Sequence, residues 1–216
     1  MILDRFLQIE TFSLVIIGDF NPVIFQPFWM SSKGLIRDDE AKSAVVDIVH
    51  NEILRFELDW LKIEVTRTRC AFTTAKEPYF EPLKDLAIGI FEILKETPIT
   101  SFGLNHIYDL AFKSDSQYFE IGNKLTPLDL WEEVLKSPRL FQLEIFENER
   151  KDGLDGFRRI RIIPSDKSIS FGVAVNINNH FNLKKLDFTT HLEENWNNSF
   201  IQAKCIVENM LNKIVI

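Results

Sequence analysis

Apolar residues recur along this chain with two different periods, and the switches between them mark the elements. Residues 11–20, Thr-Phe-Ser-Leu-Val-Ile-Ile-Gly-Asp-Phe, carry apolar side chains on both faces of an extended chain, which predicts an internal strand. Gly34 opens a loop, and the acids at the start of Arg37-Asp38-Asp39-Glu40 predict a short helix or turn after it. Leu54, Phe56 and Leu58 then alternate with Arg55, Glu57 and Asp59, the period of a half-buried strand, and residues 61–75 supply its antiparallel neighbour in a hairpin. The period changes at Leu83, Leu86, Ala87, Ile90 and Leu94, which line one stripe of a helix over 82–96 with Pro82 in its first turn. Residues 99–113 return to a strand pattern.

The polar run Lys113-Ser114-Asp115-Ser116-Gln117 predicts a boundary, and Thr126, Pro127 and Asp129 predict a helix start beyond it. Alternation resumes at Phe141, Leu143 and Ile145 and again from Ile169 to Ile177, so three strands in an antiparallel meander are expected over 139–181. A final helix over 190–214 is predicted from the Thr190/Glu193 cap and the stripe Trp196, Phe200, Ala203, Val207, Met210 and Ile214. Strands in runs rather than strict alternation with helices predict one α+β domain over 1–216. Its strands are expected in two antiparallel sheet segments, packed with a central helix and a long C-terminal one. Ser101-Phe102-Gly103-Leu104 is echoed by Ser170-Phe171-Gly172-Val173, which suggests two related halves, 1–113 and 124–216.

One stretch fits neither period. Residues 18–30 hold Phe20, Ile24, Phe25, Phe28 and Trp29 around Pro22 and Pro27. The prolines are expected to keep this stretch extended and off any hydrogen-bonded ladder. Its rings then either cover an end of the sheets or anchor a partner, with Phe25, Phe28 and Trp29 as the partner-binding candidates.

Charge and composition narrow the chemistry. The 216 residues have a formal net charge of −7, which disfavours nonspecific nucleic-acid binding, because that affinity grows with the number of Lys/Arg contacts to phosphate. Arg158, Arg159 and Arg161, with Arg67 and Arg69, offer one local basic strip, set against Glu144, Glu147 and Glu149 on the neighbouring strand. Cys70 and Cys205 lack metal-ligand spacing and read as buried thiols in a reducing cytoplasm. Asp4 and Glu10 sit where a signal peptide would be basic and apolar, and no run of apolar residues reaches membrane-spanning length, so a cytoplasmic protein without membrane attachment is expected.

Catalytic signatures are sparse. No phosphate-cradling glycine loop or nucleophile elbow occurs, so no cofactor, catalytic residue or metal ligand is assigned. Asp19, His106 and Asp109 are the acid/base or metal candidates, although a spacing of three on a strand sends His106 and Asp109 to opposite faces. His50, His180 and His191 have no ligand-spaced companion. Glu40-Ala41-Lys42 has the order a metal-dependent nuclease uses on a strand, but lies in a helix-favouring run.

The course from Phe20-Asn21-Pro22 through residues 54–72 to Gly103-Leu104-Asn105 resembles a group of uncharacterised bacterial proteins that share the F-N-P, the following strand pair and a G-x-N strand. It covers the first half of the chain. The resemblance implies a bacterial origin and accessory roles in multi-gene systems such as phage defence, and no activity. The expected function is a non-enzymatic protein-interaction or scaffolding component, self-associating or bound to a protein partner. A metal-dependent hydrolase or nuclease and a nucleic-acid-contacting accessory protein are the alternatives.

Overall fold

The centre of the structure, a computed structural model that describes every residue except 168, 185–186 and 215–216, is a pair of long antiparallel strands. These are β1 (Leu7–Gly18) and β6 (Ile99–Ala111). Between them run α1 (Pro27–Ser32), α2 (Asp38–Ser43), β2 (Val45–His50), β3 (Ile53–Glu57), β4 (Lys62–Thr66), β5 (Arg69–Thr74) and α3 (Phe80–Ile93). After β6 come α4 (Asp115–Leu125), α5 (Asp129–Glu132), β7 (Leu143–Glu147), β8 (Gly156–Pro164), β9 (Gly172–Asn182) and α6 (Phe188–Ile214). The chain is α+β, and all neighbouring strands are antiparallel in one nine-stranded sheet of order β2-β3-β4-β5-β1-β6-β9-β8-β7. The two expected sheet segments are therefore joined, through eleven register pairs between β1 and β6.

The order reads outward from β1 and β6 as the same path twice: a long strand, short helices, a meander returning to that strand's flank, then a long helix. By element order this path restarts at β6, whereas the Ser-Phe-Gly echo falls on β6 and at the start of β9. Several local expectations shift as well. Residues 61–75 are two strands, β4 and β5, turning at Arg67-Thr68. The run 113–117 is no boundary but the start of α4, where Ser114 Oγ accepts from Gln117 N at 3.2 Å and Gln117 Oε1 accepts from Lys113 N at 3.0 Å. Thr126 caps the end of α4, and only the single turn of α5 follows.

The helices that bury side chains in the core, α1 to α4 and α6, lie on one face of the sheet. Phe12, Leu14, Ile16, Phe72, Phe102 and Leu104 point from the central strands into a cluster with Leu83, Ala87 and Ile90 of α3 and Leu192 and Trp196 of α6. A second cluster joins Tyr108, Leu110, Val175 and Ile177 to Ala203, Val207 and Leu211. The 27-residue α6, roughly 40 Å long at 1.5 Å per residue, spans both clusters. Its buried line from Leu192 through Trp196, Ser199, Ala203 and Val207 to Leu211 follows the three-to-four spacing of one helical face. No helix among the described residues is long and apolar enough to cross a membrane.

Residues 18–30 are also corrected. Pro22 and Pro27 do not hold the chain extended; each opens a helix, a 3-10 turn over Pro22–Phe25 and then α1. Proline suits such first positions, since its missing N–H would have no partner there and its φ is preset.

Candidate functional site

Because side chains alternate along a strand, the residues between the core positions form a second face that no helix covers. Strand register lines them up in rows. One row runs Lys62, Thr73, Ser13, Asn105, Asn178, Arg159, Phe146 across seven strands. The next runs Glu64, Ala71, Val15, Gly103, His180, Phe157, and a third runs Thr11, Ile107, Asn176, Arg161, Glu144. The inner members of these rows, from Ser13 and Val15 on β1 to Arg159 and Arg161 on β8, line a shallow depression of about 510 Å³.

The polar groups here are ordered by their neighbours. Ser13 Oγ lies 2.9 Å from Thr73 Oγ1, and Asn105 Nδ2 donates to the carbonyls of Ser13 at 3.1 Å and Gly103 at 3.2 Å, which leaves the amide flat on the sheet. Asn178 Oδ1 is buried with no hydrogen-bond partner among the described residues. Arg69 pairs with Glu64 at 3.1 Å and Arg161 with Glu144 at 2.8 Å. Arg159, between Asn178 and Phe146, has no carboxylate within ion-pair distance among the described residues. The rim is aromatic: Phe146 and Phe157 are 5.2 Å apart, and His180 stacks on Phe157 at 4.4 Å and 15°.

The candidates for acid/base or metal chemistry are not brought together. His106 is fully buried on the helix side, where its Nε2 is 2.9 Å from Ser199 Oγ. Ser199 Oγ accepts from Asn179 Nδ2 at 3.0 Å, Asn179 Oδ1 accepts from Arg158 Nε at 2.7 Å, and Arg158 pairs with Glu147 at 2.6 Å. Burial pushes the His106 imidazole down to about 3, so it is neutral at physiological pH. Asp109 lies on the opposite face, as the spacing requires, and accepts from Ser165 Oγ at 2.5 Å. Asp19 follows β1, roughly 23 Å along the strand from the residue that faces His106, at about 3.3 Å per residue. Among the described residues no three His, Cys, Asp or Glu side chains are grouped to hold a metal ion. Glu40-Ala41-Lys42 belongs to α2, with Glu40 accepting from Trp60 Nε1 at 2.9 Å and Ala41 buried.

The partner-binding candidates separate too. Phe25, only 1% exposed, is part of the core, with its ring 6.2 Å from those of Phe20 and Phe91; it is not available to a partner. Trp29 is half-buried against the same cluster. Phe28, 66% exposed, is the one ring of the three that faces solvent.

Sequence reasoning singled out Arg69, Arg159 and Arg161 as a basic strip, and the fold gathers these three on the uncovered face. Arg67 instead pairs with Glu52 at 2.7 Å in the turns, and Arg158 points toward α6. Ser13 and Asn178 carried no motif, and Asn105 only the G-x-N of the resemblance. Their signal was positional: each occupies the polar phase of a strand whose other phase is apolar. The chain matches no protein-family model and no curated protein sequence.

Proposed function

We propose that this is a binding protein whose working surface is the uncovered sheet face, and that it contacts nucleic acid there. The observation that carries the reading is Arg159: a guanidinium with no carboxylate partner among the described residues, set in a row of amides and hydroxyls that no helix covers. Guanidinium pairs with phosphate through two parallel N–H donors, and a strand face can present such groups to a polynucleotide. The net charge of −7 does not oppose this, because charge is sorted by face. From β3 to β7 in sheet order, this face holds Arg55, Lys62, Arg69, Arg159 and Arg161 against Glu57, Glu64, Glu144 and the buried Asp109, and of the five cations only Arg159 has no carboxylate partner among the described residues. A locally positive face on an anionic protein orients a polyanion toward that face alone.

The test is fluorescence anisotropy of labelled oligonucleotides at low salt. Wild type should bind, and Arg159→Ala should weaken binding by about tenfold or more, the worth of a charge-assisted hydrogen bond, while circular dichroism and melting temperature stay unchanged. Wild type that binds no oligonucleotide, or an Arg159→Ala protein that binds as tightly as wild type, would sink the reading.

A further inference from the structure

Resting on that reading, we infer that the nucleic acid is single-stranded, with an unpaired base stacked on Phe146 and its phosphate on Arg159. Phe146 is 55% exposed at the rim of the uncovered face, directly across the β7–β8 ladder from Arg159. It is not isolated. Phe157 lies 5.2 Å away at a tilt of 40°, and His180 stacks on Phe157 in turn, so the exposed ring leans on a stacked aromatic pair. A ring supported in this way presents a π-face without having to be ordered on binding. That is what an unpaired base uses, and a base inside a duplex has no free face to offer.

The floor beyond the ring suits a flat ligand. Next to His180 the row continues through Gly103, which has no side chain, to Val15 and Ala71. Alongside it, Asn178 Nδ2 and Asn105 Oδ1 are the amide atoms left to meet base edges, since Asn178 Oδ1 is buried and Asn105 Nδ2 is engaged by the Ser13 and Gly103 carbonyls. From β7 to β5 the face is six strands wide, roughly 24 Å at about 4.8 Å per strand, and such a width suits about four nucleotides, the short end of the range for single-strand sites. Arg69, Arg159 and Arg161 are spread over this width, and the first and third are engaged by Glu64 and Glu144. A few phosphate contacts and several base contacts therefore share the affinity.

The experiment uses the full chain and four probes at low salt: a labelled single-stranded oligothymidylate, the same length of abasic strand, a hairpin duplex and inorganic polyphosphate. Oligothymidylate should bind at least ~10-fold tighter than the other three, the scale of one base–aromatic stack. Phe146→Ala should erase that preference and leave the abasic affinity unchanged, and Phe146→Trp should restore it. Since Phe146 is a rim residue on an edge strand, the Ala variant keeps its fold, and an unchanged melting temperature verifies this. Binding of abasic strand, duplex or polyphosphate as tightly as oligothymidylate, or indifference to Phe146→Ala, overturns the single-strand assignment and leaves the nucleic-acid reading standing. Absence of binding to all four probes removes both.

Discussion

His106 should make the protein lose stability in mild acid, and the loss can be isolated with one variant. The imidazole is fully buried among Phe12, Tyr108 and Phe200, and its Nδ1 has no partner among the described residues. Burial lowers its proton affinity from the ordinary 6.5 to about 3. Since the folded value is the lower one, the unfolded chain binds the extra proton between these limits, and stability falls as pH drops through 6.5. Each pH unit below that costs about 1.4 kcal/mol, so going to pH ~4.5 should cost about 3 kcal/mol from this residue. Carboxylates complicate a single curve: hydrogen bonds from Arg150 hold Asp152 well below its usual range, so its contribution also disappears in acid. Urea denaturation of wild type and His106→Leu in parallel from about pH 7 to about pH 4.5 removes that background. The wild-type stability minus the variant's should fall by about 3 kcal/mol over the range. A difference that stays constant within about 0.5 kcal/mol would mean that His106 is solvated or paired in the native state, contrary to its placement here.

Three further outcomes are expected. Gly156 has φ of 144°, and a Cβ there would lie 2.0 Å from the His180 carbonyl oxygen, whereas Gly153 at φ 74° has open space. Gly156→Ala should therefore cost roughly 3 kcal/mol or more in chemical denaturation and Gly153→Ala only about 1; equal costs would refute the steric account. Cys205 is exposed and Cys70 is buried, with burial raising the Cys70 thiol, so a thiol reagent should label one cysteine in the native protein and two in denaturant. Rapid native labelling of both would contradict the core. Replacing Phe28 and Trp29 together by Ala should lower stability through Trp29 by about 2 kcal/mol and leave the oligomeric state as it was; a change in mass by light scattering with unchanged melting would instead restore these residues as a partner anchor.

The parts of the fold legible in the sequence are those with a local period. α3, β6 and α6 lie where their stripes and alternation predict them, because core burial on one side imposes the pattern directly. The β4–β5 turn was hidden because Arg67-Thr68 contains none of the residues that usually mark a reversal. The start of α4 was marked by a Ser-x-x-Gln cap, Ser114 to Gln117, but its polarity made it read as a boundary. Whether strands form one sheet or two is not a local property. It depends on β1 meeting β6 about ninety residues later in sequence, and neither strand carries a signature of its partner. The candidate site was half legible for the same reason: arginines announce themselves by charge, but the amides join them only once register places Ser13, Asn105, Asn178 and Arg159 in one row.

The one arginine of the proposed contact that no carboxylate engages among the described residues, Arg159, lies on the β6-to-β7 side of the uncovered face. In the first half the equivalent surface is electrostatically closed: Glu64 takes both Arg55 at 2.5 Å and Arg69 at 3.1 Å, and Lys62 pairs with Glu57 at 2.6 Å. Cations engaged in this way have little to gain from phosphate, since a new contact must first break an existing pair. In the second half β9, the inner neighbour of β6, presents the amides Asn176 and Asn178; Arg161 on β8 is engaged by Glu144, but Arg159 on the same strand has no carboxylate among the described residues. An amide neither neutralises the guanidinium nor repels a phosphate, and it can turn either its donor or its acceptor to a base edge. The same backbone path therefore yields one half whose surface charges satisfy each other and one half with hydrogen-bonding capacity left for a ligand.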